Sequence, residues 1–216
     1  MKDESLIHFN NPMKYNNFIE ELDIYNGWQI ESGLMNDRGE KIRNKSYSVK
    51  LRKLFNDKKM FRKSVSISEI VTWLDSFVHI DRILTLLRIN FDTEILNEIE
   101  ISFEYIIEMS KKSRVDCIIK YKNRYCLIEF RTVNKFERMK AAYDKKRIEL
   151  MIYKDMMENY MPIDSKIIVL PFIGLYEFEE GKLIEKHRIN NIKQAQFASE
   201  YIDKYLVSPQ IFPKAI

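Results

Sequence analysis

Cysteine is scarce: the 216 residues hold two, Cys117 and Cys126, too few for a disulfide framework or a four-thiolate iron–sulfur cluster. His8, His79 and His187 stand far apart in the chain, which argues against a zinc site. Glycine and proline are few, five of each, and no Ser-, Gly- or Gln-rich low-complexity run and no internal repeat occurs. No apolar stretch reaches membrane length, and the opening MKDESLIHFNN lacks the apolar segment of a secretory signal. The expectation is a cytoplasmic protein with no membrane partner, in which Cys117 and Cys126 pack as small apolar residues in a reducing compartment. No ATPase motif is present, so any motor acting with this chain is a separate one.

What the chain does have is 45% hydrophobic residues, enough for one good core with a small appendage. Its net charge is only +4, but the charges are unevenly spread. Between Arg38 and Lys63 eleven Lys or Arg face only Glu40 and Asp57, whereas Asp92 to Glu108 holds six acids and no base. A basic strip containing Arg43, Lys45, Lys50, Arg52 and Lys53, interleaved with Tyr47, Phe55 and Phe61, suits a polyanion such as DNA, with the aromatics either packing or stacking. A solvated helix face over buried rings is the competing reading.

The densest chemical signal lies in SRVDCIIKYKNRYCLIEFRTV, Ser113 to Val133. Two apolar runs flank the turn-like Lys122-Asn123-Arg124 and read as an antiparallel hairpin. Alternation puts Asp116, Ile118 and Lys120 on one face of the first strand and Leu127, Glu129 and Arg131 on one face of the second. If these faces coincide, two carboxylates converge beside a cation. A carboxylate inside an apolar run is costly unless it is paired or holds a metal, which makes Glu129 the most informative residue. An edge strand with Glu129 and Arg131 facing water is the alternative, and the apolar character of Cys126 to Phe130 argues against it.

These residues resemble the PD-(D/E)XK nuclease superfamily, in which an Asp on one core strand and a Glu-x-Lys on the next hold divalent metal for phosphodiester hydrolysis. The resemblance implies that Asp116 and Glu129, with the carbonyl of Phe130, hold Mg2+, with Mn2+ as a substitute. Arg131 stands where the family has Lys, and Val115 where a Pro often precedes the Asp. Arg cannot readily act as a base, but can offset charge on the phosphorane. The segment Asn134 to Tyr160, free of Pro and Gly, reads as a long helix capped by Asn134, with Met139, Ala142, Tyr143, Ile148, Met151 and Ile152 at helical spacing. In the RecB-like branch this helix carries Lys, Gln and Tyr at the spacing of Lys146, Glu149 and Tyr153 here. Lys146 or Lys145 is then positioned to supply the missing ammonium; a solvated basic face is the other reading. The first core helix of such nucleases often adds a Glu, for which Glu69 is the candidate, with Asp75 and Asp81 behind it. An ordinary surface acid or helix-dipole partner is the alternative.

The implied fold is α/β, a restriction endonuclease-like αβββαβ core. Its mixed four-stranded sheet, flanked by helices, occupies residues 65–216. The helices and strands expected are Ile67 to Ile89, capped by Ser66 or Ser68, Ile101 to Met109 as a strand with a helix continued from Thr93 as the competing reading, the hairpin, the long helix, and a strand beginning in Ser165 to Phe178. A hairpin arm around Gly181 and a closing helix, Asn191 to Leu206, with Ala195, Phe197, Ala198, Ile202 and Tyr205 inward, complete it. Residues 1–64 read as a basic, mainly helical extension, with helices in Tyr15 to Trp28 and Ser46 to Phe55 and a loop from Gly33 to Gly39, or as part of a larger sheet. The expected activity is metal-dependent hydrolysis of DNA in restriction, defence, repair or recombination, as a homodimer or beside a helicase or other subunit. A nuclease-fold protein that binds DNA or a partner protein without cutting is the rival, and an unrelated α/β protein in which the hairpin motif is accidental is the third reading.

Overall fold

Ser66 begins the helix that organises the molecule. Its hydroxyl accepts from the Glu69 N–H while the Glu69 carboxylate accepts from the Ser66 N–H, a reciprocal capping box that satisfies two otherwise orphaned donors. The helix, α4 (Ile67–Asn90), is apolar almost all round and is correspondingly buried in the middle of the protein. The computed structural model describes residues 5–22, 35–58, 64–107 and 113–208.

The elements before α4 are β1 (Ile7–Phe9), α1 (Pro12–Leu22), α2 (Met35–Ile42) and α3 (Ser46–Asp57). After it come α5 (Thr93–Asn97), β2 (Ile99–Ile106), β3 (Arg114–Tyr121), β4 (Arg124–Val133), α6 (Met139–Glu158), β5 (Lys166–Leu175), the small arm β6 (Phe178–Glu179) and β7 (Lys182–Leu183), and α7 (Glu185–Ile202). The protein is mixed α/β. Five strands, not the expected four, form one sheet in the order β1-β2-β3-β4-β5, because β1 from the first third of the chain adds to the edge of β2; the pairs are antiparallel except for β4–β5. That parallel pair is joined through α6, the helical crossover that parallel strands require. Pro171 interrupts β5, which lies at the sheet's edge, where a residue without an N–H is tolerated.

Two apolar layers cover the sheet. On one face Phe103, Cys117, Ile119, Cys126, Ile128 and Phe130 pack with residues of α1, α3, α4 and α7. On the other, Ile118, Leu127 and Ile167 pack with Leu150 and Met157 of α6. Residues before Ser64 share the first core: β1 pairs with β2, and Tyr15, Ile19, Leu51 and Phe55 are buried in it. Cys117 and Cys126 are free thiols in neighbouring strands, packed as apolar groups.

Several expectations need correction. Gly39, placed in a loop, lies inside α2; the roughly 1 kcal/mol that glycine costs a helix is offset by packing of Ile42 and by the buried ion pair between Arg38 and Asp75 of α4. Gly33 and Asp23 to Trp28 lie outside the described residues. Thr93 to Asn97 is a short helix capped by Asp92, and the strand starts at Ile99. Asn134 caps nothing: a 3-10 turn, Phe136–Arg138, precedes α6, and the Asn134 amide oxygen accepts from Arg138. Of the stripe assigned to α6, Met139 and Ala142 pack against Val133, Ile173 and Leu175, whereas Tyr143, Ile148, Met151 and Ile152 are exposed, because another side of the helix carries Lys146, Glu149 and Tyr153 toward the sheet. The closing helix starts earlier, at Glu185, and buries Ala195, Ala198 and Ile202 while Phe197 and Tyr205 stay exposed. Among the described residues no helix is long and apolar enough to cross a membrane.

Candidate functional site

The β3–β4 register places Cys117 opposite Ile128, so one step further brings Asp116 beside Glu129. The strands then interlock through these side chains. The Asp116 N–H donates to Glu129 Oε1 at 3.0 Å, and the Phe130 N–H donates to Asp116 Oδ2 at 2.9 Å. Glu129 is 1% exposed in the middle of an apolar strand. Lys146 reaches down from α6 to Glu129 Oε2 at 2.5 Å and also touches Glu149 at 3.0 Å. The Tyr153 hydroxyl donates to Glu149 at 3.0 Å. The i, i+3, i+7 spacing thus delivers Lys146, Glu149 and Tyr153 to the sheet from one helix face.

On the β2 side a third carboxylate joins the row. Glu104 sits in the left-handed backbone region at φ 52°, a conformation that costs a non-glycine residue on the order of 1 kcal/mol or more. The pleat inverts there: Ile101 and Phe103 face the α4 layer, while Tyr105 and Ile107 face the α6 layer. Phe103 and Tyr105 pair with Cys117 and Val115, so Glu104 stands level with Asp116. Arg114 bridges Glu104 at 2.6 Å and Glu69 at 3.2 Å, and the Trp73 side chain hydrogen-bonds Glu104. Glu69 therefore meets the row through Arg114, while also serving the α4 cap.

Crowded, buried carboxylates resist ionisation. Burial, and then the Asp116 charge, push the Glu129 carboxyl up to about 9 against the pull of Lys146. Burial, and then Asp116, raise Glu104 to about 7. Asp116 is itself raised by burial, which Lys146 and the Phe130 N–H oppose. Burial draws the Lys146 ammonium down, but the charge and hydrogen bond of Glu129 more than reverse this, so it stays protonated. The cluster holds fewer negative charges near neutral pH than it has carboxylates, and it would hold them more readily with a cation present.

Among the other expected residues, Arg131 is exposed and makes no ion pair with a described residue; Lys146, not Arg131, is the cation on Glu129. Lys145 is exposed. Phe130 meets Asp116 through its N–H. Asp75 is taken by Arg38 on the far side of α4. Of the basic strip, Arg43 pairs with Glu40, Lys50 donates to the Glu21 carbonyl, Lys45 and Lys53 are exposed, and Arg52 is half-buried. Tyr47 and Phe55 are core residues, and Phe61 lies outside the described residues. Phe55 lies 5.9 Å from Trp73, which sets α3 one ring away from Glu104. Glu104 and Arg114 were not singled out from sequence. Glu104 carried the same signal as Glu129, an acid inside the apolar run ISFEYII.

Hard oxygen donors raised above their ordinary range suit a divalent cation such as Mg2+, which is commonly held by one or two carboxylates plus substrate phosphate oxygens. Among the described residues no group of three or more His, Cys, Asp or Glu is placed to hold a metal ion. Asp116 and Glu129 fit the two-carboxylate arrangement. No family model matches the chain, and neither a curated protein nor a solved structure is detectably similar to it.

Proposed function

We propose that the chain is a metal-dependent nuclease acting on DNA, with a restriction endonuclease-like core formed by α4, β2, β3, β4, α6 and β5. The observation that carries this reading is the convergence of Asp116, Glu129 and Lys146 from two strands and a helix. A divalent ion, if bound there, would supply Lewis-acid chemistry, lowering the pKa of a bound water and polarising a phosphate. Asp116 and Glu129 supply the oxygens that hold it. Lys146 balances the charge of Glu129 and offers an ammonium to the negative charge developing on the phosphoryl oxygens. Glu149 and Tyr153 hold Lys146 in place, and Arg114 restrains Glu104 and Glu69 beside the row.

A second reading, a nuclease-fold subunit that binds DNA without cutting, is favoured by the occupancy of the carboxylates. Both Glu129 oxygens and one of Asp116 already accept hydrogen bonds from protein donors. Incubating the pure chain with labelled DNA and Mg2+ or Mn2+, against EDTA, separates the two. The nuclease reading requires metal-dependent products that Asp116→Asn and Glu129→Ala abolish while the circular dichroism of the fold is retained. Unchanged cutting by Glu129→Ala would overturn the site, and salt-sensitive binding without products would establish the second reading.

A further inference from the structure

Phe130, next to Glu129, turns to the opposite face of the sheet. There, between α4 and the carboxyl ends of β4 and β5, lies a cavity of about 470 Å3, within the range of pockets that hold small ligands. Its floor is aromatic. The His79 ring lies nearly parallel to Phe130, with centroids 5.8 Å apart at 9°, and 4.6 Å from Phe172. Tyr176 completes the floor, and Gly174 makes room for it, because a Cβ at that position would come within 2.7 Å of the Tyr176 ring.

The polar groups are as selective as the rings. Arg131 and Arg138 line the cavity and are exposed. Asp75, the only acid among the described lining residues, has both oxygens engaged by Arg38 at 2.5 and 3.0 Å. His79 is 2% exposed; its Nε2 lies 3.5 Å from the Tyr176 hydroxyl, and its Nδ1 has no hydrogen-bond partner among the described residues. Burial keeps this imidazole neutral, so it brings a hydrogen-bonding edge without charge. Aromatic walls, two exposed cations beside the paired Arg38, and one unsatisfied polar edge select a flat ring system joined to an anion.

We propose that this cavity binds a phosphorylated nucleoside, with the base against the His79, Phe172 and Tyr176 side and the phosphate at Arg131 and Arg138. The ligand chemistry is the same for a free nucleotide and for the phosphorylated end of a DNA strand. The site is separate from the carboxylate row and does not require it to cut DNA.

The test is calorimetric titration of the whole chain in EDTA with 5′-dAMP, deoxyadenosine and inorganic phosphate. Deoxyadenosine and phosphate should each bind at least tenfold more weakly than 5′-dAMP. The pair of exposed substitutions Arg131→Ala and Arg138→Ala should weaken 5′-dAMP at least tenfold, about the worth of one charge-assisted hydrogen bond, whereas Glu129→Ala should leave it within twofold. Competition by a 5′-phosphorylated oligonucleotide, but not its unphosphorylated form, assigns the site to strand ends; absence of competition assigns it to free nucleotides. No binding of 5′-dAMP at millimolar concentration, binding indifferent to the two arginines, or loss on Glu129→Ala would overturn the proposal.

Discussion

Glu129→Gln should make the protein more stable. The carboxyl rises from an ordinary 4.5 to about 9 in the folded chain, so between those values the native state binds a proton that the unfolded chain does not. Stability contributed by this group is full below about 4.5 and is lost as pH rises toward 9. At pH 7 the window spans about 2.5 units, equivalent to about 3 kcal/mol of destabilisation at 1.36 kcal/mol per unit. Gln keeps the acceptor for the Asp116 N–H and has nearly the same shape, but it loses the charge-assisted bond from Lys146, worth about 1.5 kcal/mol. The net gain is about 2 kcal/mol at pH 7, or about 5 °C in Tm for a chain of this size. Urea denaturation of both proteins at pH 5, 7 and 8.5 reads it out, and the gap should widen with pH. Magnesium, whose ligands must be deprotonated, should raise the midpoint of the parent and leave the variant unmoved. A variant no more stable than the parent at pH 8.5, or a gap independent of pH, would refute the claim that Glu129 is held against its ionisation.

Two further outcomes follow from the α4 side of the sheet. Asp75→Ala removes the carboxylate that faces the buried Arg38 guanidinium and should cost about 3–5 kcal/mol, whereas Arg38→Met with Asp75→Leu should cost much less; equal losses in urea denaturation would count against a buried ion pair. His79 is pushed down to about 3, first by burial and then by Arg82 and Arg38, so its stabilising effect is complete above about 6.5 and drains away as pH falls toward 3, at up to about 1.4 kcal/mol per unit. The slope of stability between pH 7 and 5 should flatten in His79→Leu; an unchanged slope would remove His79 as its source.

Two properties that are local in the chain were readable from it. Alternation within Val115 to Tyr121 and Tyr125 to Val133, with a turn of Lys122 to Arg124, defined the hairpin; that the faces of Asp116 and Glu129 coincide is supplied by the strand register. A serine cap at Ser66 or Ser68 marked the start of α4, and Ser66 is the one that caps it. What could not be read was the relation between elements. The choice between Arg131 and Lys146 as the partner of Glu129 depends on the rotation of α6 above the sheet, and the apolar residues of α6 gave the wrong rotation because Ile148, Met151 and Ile152 face outward. Glu104 was legible as an acid in an apolar run, but its alignment with Asp116 depends on a positive φ that no residue type announces. Tyr47 and Phe55 alternate with basic residues in a way equally consistent with stacking on bases; only their burial against α4 settles that they are core.

Pro171 bears on how this molecule keeps to itself. Strand β5 is ten residues long and forms one border of the sheet, a length sufficient to template growth by a strand from another copy. At its middle, in register with Glu129, the chain has no N–H to offer an incoming strand. The residue level with the buried carboxylate is thus also a stop against sheet extension, so colloidal behaviour at high concentration depends on the strand neighbour of the candidate site.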